Sequence, residues 1–180
     1  MQHKGTQIIE TSRLILRKVE LIDAENLTKL LNDKEVQEFL AGIPANYTVQ
    51  MAVDYILNKL QKKYNDESYY DWAVVEKERN KLIGRIGLFK QDDYRMMVDL
   101  VWYIHKDYRG KGYITEAVKE IIKFLQSVGY KRIEAFADIK NKASQRIMEK
   151  CGFTFEGTLK KYDLDRKGNL YDVNMFSITC

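Results

Sequence analysis

The spacing of apolar residues divides the chain into strand-like and helix-like segments. Alternation of apolar and charged positions predicts a first strand over residues 13–19. Two helical stripes follow, the first after Asp23 and the second after Thr48, residue types that cap helix N-termini. Short runs rich in aromatic and β-branched residues then predict three strands, and a polar turn joins the first two of them in a hairpin. These runs cover residues 70–75, 82–89 and 98–104.

The second half of the chain returns to a helical period before ending in strands. A strongly periodic helix follows Gly112, a strand covers 132–137, and a helix opens at Asn141 and closes at Gly152. Two strand-like runs, 153–164 and 170–178, complete the chain. The order predicts a mixed α/β fold of about seven strands and about four helices. No linker, repeat or low-complexity tract interrupts it, so residues 1–180 are predicted to form a single domain.

Composition and charge narrow the class of protein. Hydrophobic residues make up 45% and charged residues 31% of the chain, which excludes an intrinsically disordered profile. The net charge of +4 is spread along the chain, which argues against a dedicated nucleic-acid binder. No apolar run approaches the roughly 18 residues of a membrane span, and no signal peptide opens the chain, so we expect a cytoplasmic protein that does not engage membranes. Cys151 and Cys180 are expected to be free thiols.

Two of only ten glycines flank Lys111, in the loop between a predicted strand and the longest predicted helix. Glycine lets a ligand approach the backbone closely, and the N-terminus of a helix presents free N–H groups, so the loop is suited to bind a pyrophosphate. An ordinary strand-to-helix turn is the alternative. The sequence after Gly112 does not match a nucleotide-binding P-loop or the dinucleotide-binding glycine pattern.

Four blocks along the chain resemble one enzyme family. Residues 107–117 (DYRGKGYITEA) look like motif A of the GCN5-related N-acetyltransferase (GNAT) superfamily. Residues 10–17 (ETSRLILR) resemble the opening of its Rim-type subfamily, which includes ribosomal-protein N-terminal acetyltransferases. Residues 141–157 and 172–176 are similar to the second signature and the ending of that subfamily. The four blocks occur in the family's order.

The resemblance implies the GNAT fold, a central twisted and mostly antiparallel sheet splayed between its fourth and fifth strands, here 98–104 and 132–138. It implies acetyl-CoA as co-substrate and no metal. The pantetheine arm would lie along the fourth strand, and the pyrophosphate would rest on the glycine loop. The superfamily often has Gln or Arg where this chain has Asp107, a change that leaves the backbone contacts intact. The implied cofactor-binding residues are Ile104, Arg109, Gly110, Lys111, Gly112, Tyr113, Ile114 and Asn141.

The implied reaction needs a base for the acceptor ammonium. At neutral pH, deprotonation costs roughly 1.4 kcal/mol for an α-amine and roughly 4.6 kcal/mol for a lysine. Asp99 is the first candidate base, because alternation places it on the strand face of Val101 and Tyr103, and several superfamily members use an acidic residue on this strand. A solvated aspartate is the alternative. Asp163 is the second candidate, because it matches an acidic position proposed as base in Rim-type enzymes.

Candidate hydrogen-bond donors to the departing thiolate come from two elements. The resemblance places Asn141 against the pantetheine and Ser144 near the thioester sulfur; in a purely structural interpretation Asn141 caps a helix by accepting from the N–H of Ser144. Tyr162 is a further candidate donor. Glu116, in the first turn of the helix after the glycine loop, is interpreted as structural.

The function expected from the sequence is acetyl-CoA-dependent transfer to a primary amine by direct attack in a ternary complex. The expected acceptor is the N-terminal α-amine of a protein, a ribosomal protein first. A small amine, such as an aminoglycoside, a polyamine or an amino-acid derivative, is the enzymatic alternative, and a catalytically silent CoA-binding module is the non-enzymatic one. Whether the chain forms a homodimer is left open.

Overall fold

The computed structural model describes residues 1–39 and 42–179. Its strands are β1 (Ile9–Glu10), β2 (Leu14–Arg17), β3 (Asp71–Glu76), β4 (Lys81–Asp92), β5 (Met97–Ile104), β6 (Arg132–Asp138), β7 (Thr154–Leu164) and β8 (Leu170–Thr179). Its helices are α1 (Ala24–Leu31), α2 (Lys34–Phe39), α3 (Val49–Tyr55), α4 (Gln61–Lys63), α5 (Tyr113–Val128) and α6 (Lys142–Lys150). A π-helical segment, Ile56–Leu60, joins α3 to α4.

The strands form one mixed sheet in the order β1-β2-β3-β4-β5-β6-β8-β7. All neighbouring pairs among these strands are antiparallel except β5 and β6. The predicted mixed α/β class and the mostly antiparallel sheet are therefore confirmed. The sheet has eight strands instead of about seven, because the two residues of β1 pair with β2. The short helix α2 also has no counterpart in the apolar periodicity; it begins where Asp33 Oδ1 accepts a bond from Glu35 N at 3.1 Å.

The predicted splay lies between the two parallel strands. β5 and β6 pair at three positions only, Met97 with Arg132, Val98 with Ile133, and Asp99 with Glu134. Beyond Asp99 the strands separate, and β6 continues its pairing with β8 alone. The edge of β5 that faces β6 therefore has no partner strand from Leu100 onward among the described residues. Asp99 and Glu134 mark the closed end of the splay.

Side chains on the two faces of the sheet supply two hydrophobic cores. β3 is buried on both faces, so that Trp72 and Val74 join one core while Ala73 and Val75 join the other. The first core packs against the apolar stripe of α5. The second packs against α1, α3 and the π-helical segment that follows α3. Helices therefore cover both faces of the sheet, although the second core does not extend to β6, β7 or β8 among the described residues. No helix among the described residues is long and apolar enough to cross a bilayer.

Gly84 permits the close approach of β4 to β5. A Cβ on this residue would lie 2.7 Å from the carbonyl oxygen of Tyr103, a backbone atom that cannot rotate away. We expect Gly84→Ala to lower the free energy of unfolding by about 1–3 kcal/mol, as overpacking does elsewhere. Gly157→Ala is the matched control, because no atom would lie within 4 Å of its Cβ. Urea unfolding of both variants measures the difference; equal stability of the two would contradict the close approach.

Candidate acetyl-transfer site

The glycine loop between β5 and α5 has a backbone conformation that requires glycine. Gly110 and Gly112 have φ of +73° and +80°, a region that favours glycine, and a Cβ on Gly110 would point into open space. The first hydrogen bond of the helix runs from Glu116 N to Gly112 O at 3.0 Å. The preceding amides at this end of α5 have no intrahelical acceptor, and the helix dipole adds positive potential there. The loop is therefore built to receive an anion.

Glu116 fixes this loop to the first strands instead of facing a ligand. Its Oε1 accepts bonds from Thr11 Oγ1 at 2.5 Å and from Ser12 Oγ and Arg13 N at 3.0 Å. Its Oε2 accepts from Arg13 Nε at 2.7 Å. Burial opposes ionisation, but these donors outweigh it and lower the pKa of Glu116 to about 2. Because Arg13 Nη1 also donates to Lys111 O at 3.0 Å, the segment 11–13 positions the glycine loop.

The side chain of Arg109, at the start of the glycine loop, is held by carboxylates of the protein. Its guanidinium pairs with Asp33 Oδ1 at 2.8 Å and Glu35 Oε2 at 2.6 Å, and its Nε donates to Ile104 O at 3.3 Å. These bonds tie the loop to the segment between α1 and α2. Burial would raise the pKa of Asp33, but Arg109 outweighs it and the pKa is lowered. Lys111 remains as an exposed cation of the loop, 5.5 Å from the ring centre of Tyr108.

The N-terminus of α6 lies across the open end of the splay from the glycine loop, since both follow the carboxyl ends of parallel strands. Asn141 caps α6, its Oδ1 accepting from Ser144 N at 3.0 Å. Ser144 is half-buried, and within the described residues its hydroxyl has no hydrogen-bond partner. Cys151, just after α6, donates weakly to Thr115 O at the start of α5, and burial raises the pKa of its thiol to about 11. Cys180 lies outside the described residues.

A carboxyl pair occupies the closed end of the splay. Asp99 and Glu134 are register partners on β5 and β6, and both are 5% exposed. Burial, followed by a hydrogen bond and charge repulsion from Glu134, raises the pKa of Asp99 to about 6, while Lys90 acts in the opposite direction. A carboxyl group with this pKa can hold or release a proton near neutral pH, which is the property of a general base.

Glu134 is bound by Arg132, which also binds Glu156, in a chain of ion pairs that the sequence did not reveal. Arg132 Nε donates to Glu134 Oε1 at 2.5 Å, and its two Nη atoms donate to Glu156, at 2.9 and 2.5 Å. The side chain of Ser177 donates to the same Glu156 carboxylate. The hydrogen bonds from Arg132 and Ser177 lower the pKa of Glu156 to about 2. This chain fixes the carboxylate that faces Asp99.

The apex cavity, lined by Asp99, Glu134, Lys90, Phe136 and Tyr162, has a volume of about 560 Å³. Tyr162 stacks on Phe136 with ring centres 5.5 Å apart, and its hydroxyl accepts a bond from Lys90 Nζ at 3.4 Å. The structure thus brings Tyr162 and Asp99 together.

The two other catalytic candidates lie elsewhere among the described residues. Ser144 is at the open end of the splay. Asp163 is exposed and does not line the apex cavity; its carboxylate accepts from Leu164 N at 2.8 Å and Tyr171 Oη at 3.2 Å. The pairing of β7 with β8 is irregular between Leu159 and Asp163. Tyr162, and not Asp163, therefore lines the cavity.

A second cavity, of about 630 Å³, opens on the same face of β5. This helix-side cavity is lined by Arg85, Tyr103, Tyr55, Asp54, Lys59 and Pro44, among other residues. Val101, between Asp99 and Tyr103 on that face, is 38% exposed. The two cavities therefore flank one exposed stretch of β5.

The residues present fit a bound acetyl-CoA. The unpaired edge of β5 offers backbone hydrogen bonds to an extended amide-bearing arm, as a missing strand would. At the wide end of the same gap lie the free amides of the glycine loop and the Lys111 cation, which suit a pyrophosphate. Ile104, which ends β5, connects the two features.

Comparison with known proteins also indicates an acetyltransferase. Residues 13–154 match the family model described as acetyltransferase (GNAT) domain. The chain is 30% identical over 179 residues to the N-acetyltransferase p20 of Bacillus licheniformis, covering 96% of both chains. The structure of ribosomal-protein-S5-alanine acetyltransferase from Vibrio fischeri superposes with a TM-score of 0.83 at 21% identity, over 96% of both chains.

A further solved structure shows the same fold with ligands. The microcin C7 self-immunity acetyltransferase MccE, solved in complex with acetyl-CoA and AMP, superposes with a TM-score of 0.80 at 23% identity, over 94% of both chains. The family match includes strands β2 to β6, so it covers the glycine loop and both strands that form the splay. The chain therefore belongs to the GNAT family of N-acetyltransferases.

Proposed function

We propose that this protein transfers the acetyl group of acetyl-CoA to the α-amine of a protein N-terminus, with Asp99 as the general base. The observation that carries the proposal is the splay itself. Its open end presents the anion-binding glycine loop, its β5 edge is free of a partner strand, and its closed end holds a carboxyl whose pKa is about 6. Each part meets one requirement of the reaction.

Bound acetyl-CoA would supply the activated acetyl thioester. The edge of β5 beyond Asp99 orients that group and presents it to the face where Val101 is exposed. Asp99 accepts a proton from the acceptor ammonium, and the free amine then forms a bond to the acetyl carbon as the carbon–sulfur bond breaks. Either Ser144, at the open end of the splay, or Tyr162, in the apex cavity, would donate to the departing sulfur. Phe136 and Tyr162 line the apex cavity beside Asp99.

The α-amine is favoured as acceptor because it demands less of the base. With a pKa near 8, an α-amine lies about two units above the pKa of Asp99, whereas a lysine amine lies more than four units above it. The likeness to the ribosomal-protein-S5-alanine acetyltransferase supports a ribosomal protein as the substrate. The likeness to a microcin self-immunity enzyme keeps a small-molecule amine as the second candidate.

We expect acetyl-CoA to raise the melting temperature. A ligand at 100 times its Kd stabilises the native state by about 2.7 kcal/mol, which for a chain of this size corresponds to roughly 5–10 °C. Acetyl-pantetheine, which lacks the pyrophosphate, is the control and should give a smaller shift because it cannot occupy the glycine loop. Differential scanning fluorimetry measures both. An unchanged melting temperature at saturating acetyl-CoA would reject the cofactor assignment.

An acceptor panel tests the substrate class. Peptides with the N-termini of ribosomal proteins, the same peptides with blocked α-amines, aminoglycosides and polyamines are compared by thiol release from acetyl-CoA. We expect release with the free peptides and none with the blocked ones, even when these contain lysine. Release with polyamines or aminoglycosides alone would establish the small-molecule alternative.

A further inference from the structure

The helix-side cavity contains a buried cation that the proposed chemistry does not use. Arg85 is 5% exposed and lines this cavity. Its Nε donates to Asp71 Oδ1 at 3.2 Å, and its Nη2 donates to Asp71 Oδ2 and, at 3.3 Å, to Tyr55 Oη. Asp71 therefore engages the Nε–Nη2 edge and leaves the Nη1 edge of the guanidinium for other partners.

Two tyrosines complete a group of donors around this guanidinium. The ring centres of Tyr55 and Tyr103 lie 5.4 and 5.9 Å from the Arg85 Cζ. The Tyr55 hydroxyl accepts from Arg85, so its own hydrogen is available to a further acceptor. Burial, the largest effect, raises the pKa of the Tyr103 phenol, which keeps its proton. The cluster can offer three donors to one acceptor group.

The charged side chains around the cavity balance one another, so what the cluster offers a guest is the set of donors on the Nη1 edge of Arg85 and the two hydroxyls. Asp71 balances Arg85 from outside the cavity and does not line it. Asp54 and Lys59, which do line it, carry opposite charges, and Asp54 Oδ1 accepts from Gln50 Nε2 at 3.0 Å. A planar carboxylate accepts several hydrogen bonds at once, so it matches a guanidinium edge flanked by two hydroxyls.

We propose that the helix-side cavity binds a carboxylate of the acceptor at Arg85, Tyr55 and Tyr103, so that the enzyme selects amines that carry an acidic group. The inference rests on the proposed acetyl transfer, because it takes the amine to lie on β5 near Asp99. Tyr103 and Asp99 are four residues apart on one strand face, about 13 Å along β5. An acidic side chain near the amino end of a peptide, or the carboxylate of an amino acid with a flexible chain, has the required reach.

Paired acceptors that differ only in the acid group test this. Aminobutyrate, aminohexanoate and aminooctanoate are each compared with their amides, and hexapeptides with Glu at positions two to four are compared with their Gln counterparts. We expect the acid of at least one pair to have a kcat/KM about tenfold or more above that of its amide, since a hydrogen bond to a charged group has this magnitude. The peptide and amino-acid arms identify the source of the carboxylate.

The variants remove donors while keeping the rings. The double variant Tyr55→Phe with Tyr103→Phe removes two donors while Arg85 remains, so it should lower the acid-to-amide ratio about tenfold or more. Tyr47→Phe is the matched control, because Tyr47 lines the same cavity but donates its hydroxyl to Met51 O at 3.3 Å; its ratio should match the wild type. Equal rates for acid and amide throughout the wild-type panel, or an acid-to-amide ratio in the folded double variant equal to that of the wild type, would overturn the proposal.

Calorimetry separates this inference from the proposed function. The wild type and the double variant are titrated with the same acid and amide pairs in the absence of acetyl-CoA. Binding of the acid that is weakened in the double variant, without thiol release from any acceptor, would keep the carboxylate site and reject the acetyl-transfer proposal. Turnover without acid preference in rate or binding would keep the acetyl-transfer proposal and reject the carboxylate site.

Discussion

Asp99→Asn is expected to lower kcat/KM by about 10²–10⁴-fold, the usual contribution of a general base. Asparagine keeps the shape of the side chain and removes its ability to take a proton. In the wild type, kcat/KM should fall below about pH 6, because the base is protonated there. Initial rates measured between pH 5 and 9 provide both values. Asp163→Asn is the matched comparison, since Asp163 lies outside the apex cavity, and it should leave the acid limb unchanged.

Glu134→Gln checks the origin of the raised pKa. Loss of the neighbouring negative charge should lower the pKa of Asp99, so the acid limb of the profile should move to lower pH while activity persists at neutral pH. An Asp99→Asn variant with wild-type kcat/KM at pH 7 would remove Asp99 from the mechanism. An acid limb that stays in place in Glu134→Gln would show that the limb reports another group.

Asp99→Asn should also stabilise the fold above pH 6. Because the folded pKa of Asp99 lies above its usual value of 3.8, the wild type is most stable, relative to the Asn variant, below about pH 4 and loses that stability as the pH rises through about 6. The buried charge then costs of the order of 1–3 kcal/mol, which asparagine avoids. Urea unfolding at pH 4.5 and pH 8 measures this. A gain in stability with a loss of activity is typical of a group kept for catalysis.

The glycine loop and the fold class were predictable because their causes are local. Glycines at positive φ and a capping Asn141 depend on a few neighbouring residues, so their motifs carry over directly into structure. β1 and α2 were missed for the opposite reason. Their stability comes from pairing with β2 and from the Asp33 cap, and segments of two and six residues are too short to show a period.

The carboxyl pair could not be predicted because it depends on the register between strands distant in sequence. In the segment 132–138, Glu134 is an ordinary polar residue until β6 pairs with β5 and places it opposite Asp99. The same is true of Arg85, whose burial depends on helices from another part of the chain. In β7, the irregularity after Leu159 changes which side chain faces the cavity, and simple alternation cannot detect it.

Glu116 ties the glycine loop to the segment 11–13, so its loss should affect both stability and cofactor binding. Its pKa of about 2, against an ordinary 4.5, corresponds to about 3 kcal/mol of stabilisation at neutral pH. Because the folded pKa is lowered, this stabilisation is present above about pH 4.5 and is lost as the pH falls toward 2. Glu116→Gln should therefore be less stable than the wild type by up to that amount at pH 7, and the difference should shrink by pH 3.

The control for Glu116 lies one turn further along α5. Glu120 pairs with Lys123 at 2.7 Å on the surface, so Glu120→Gln should change stability by less than about 1 kcal/mol. Because Arg13 joins Glu116 to Lys111 O, Glu116→Gln should also raise the KM for acetyl-CoA, by about tenfold, while kcat at saturation changes little. A lower kcat with an unchanged KM would mean that Glu116 acts on the chemical step, and would contradict its role in positioning the loop.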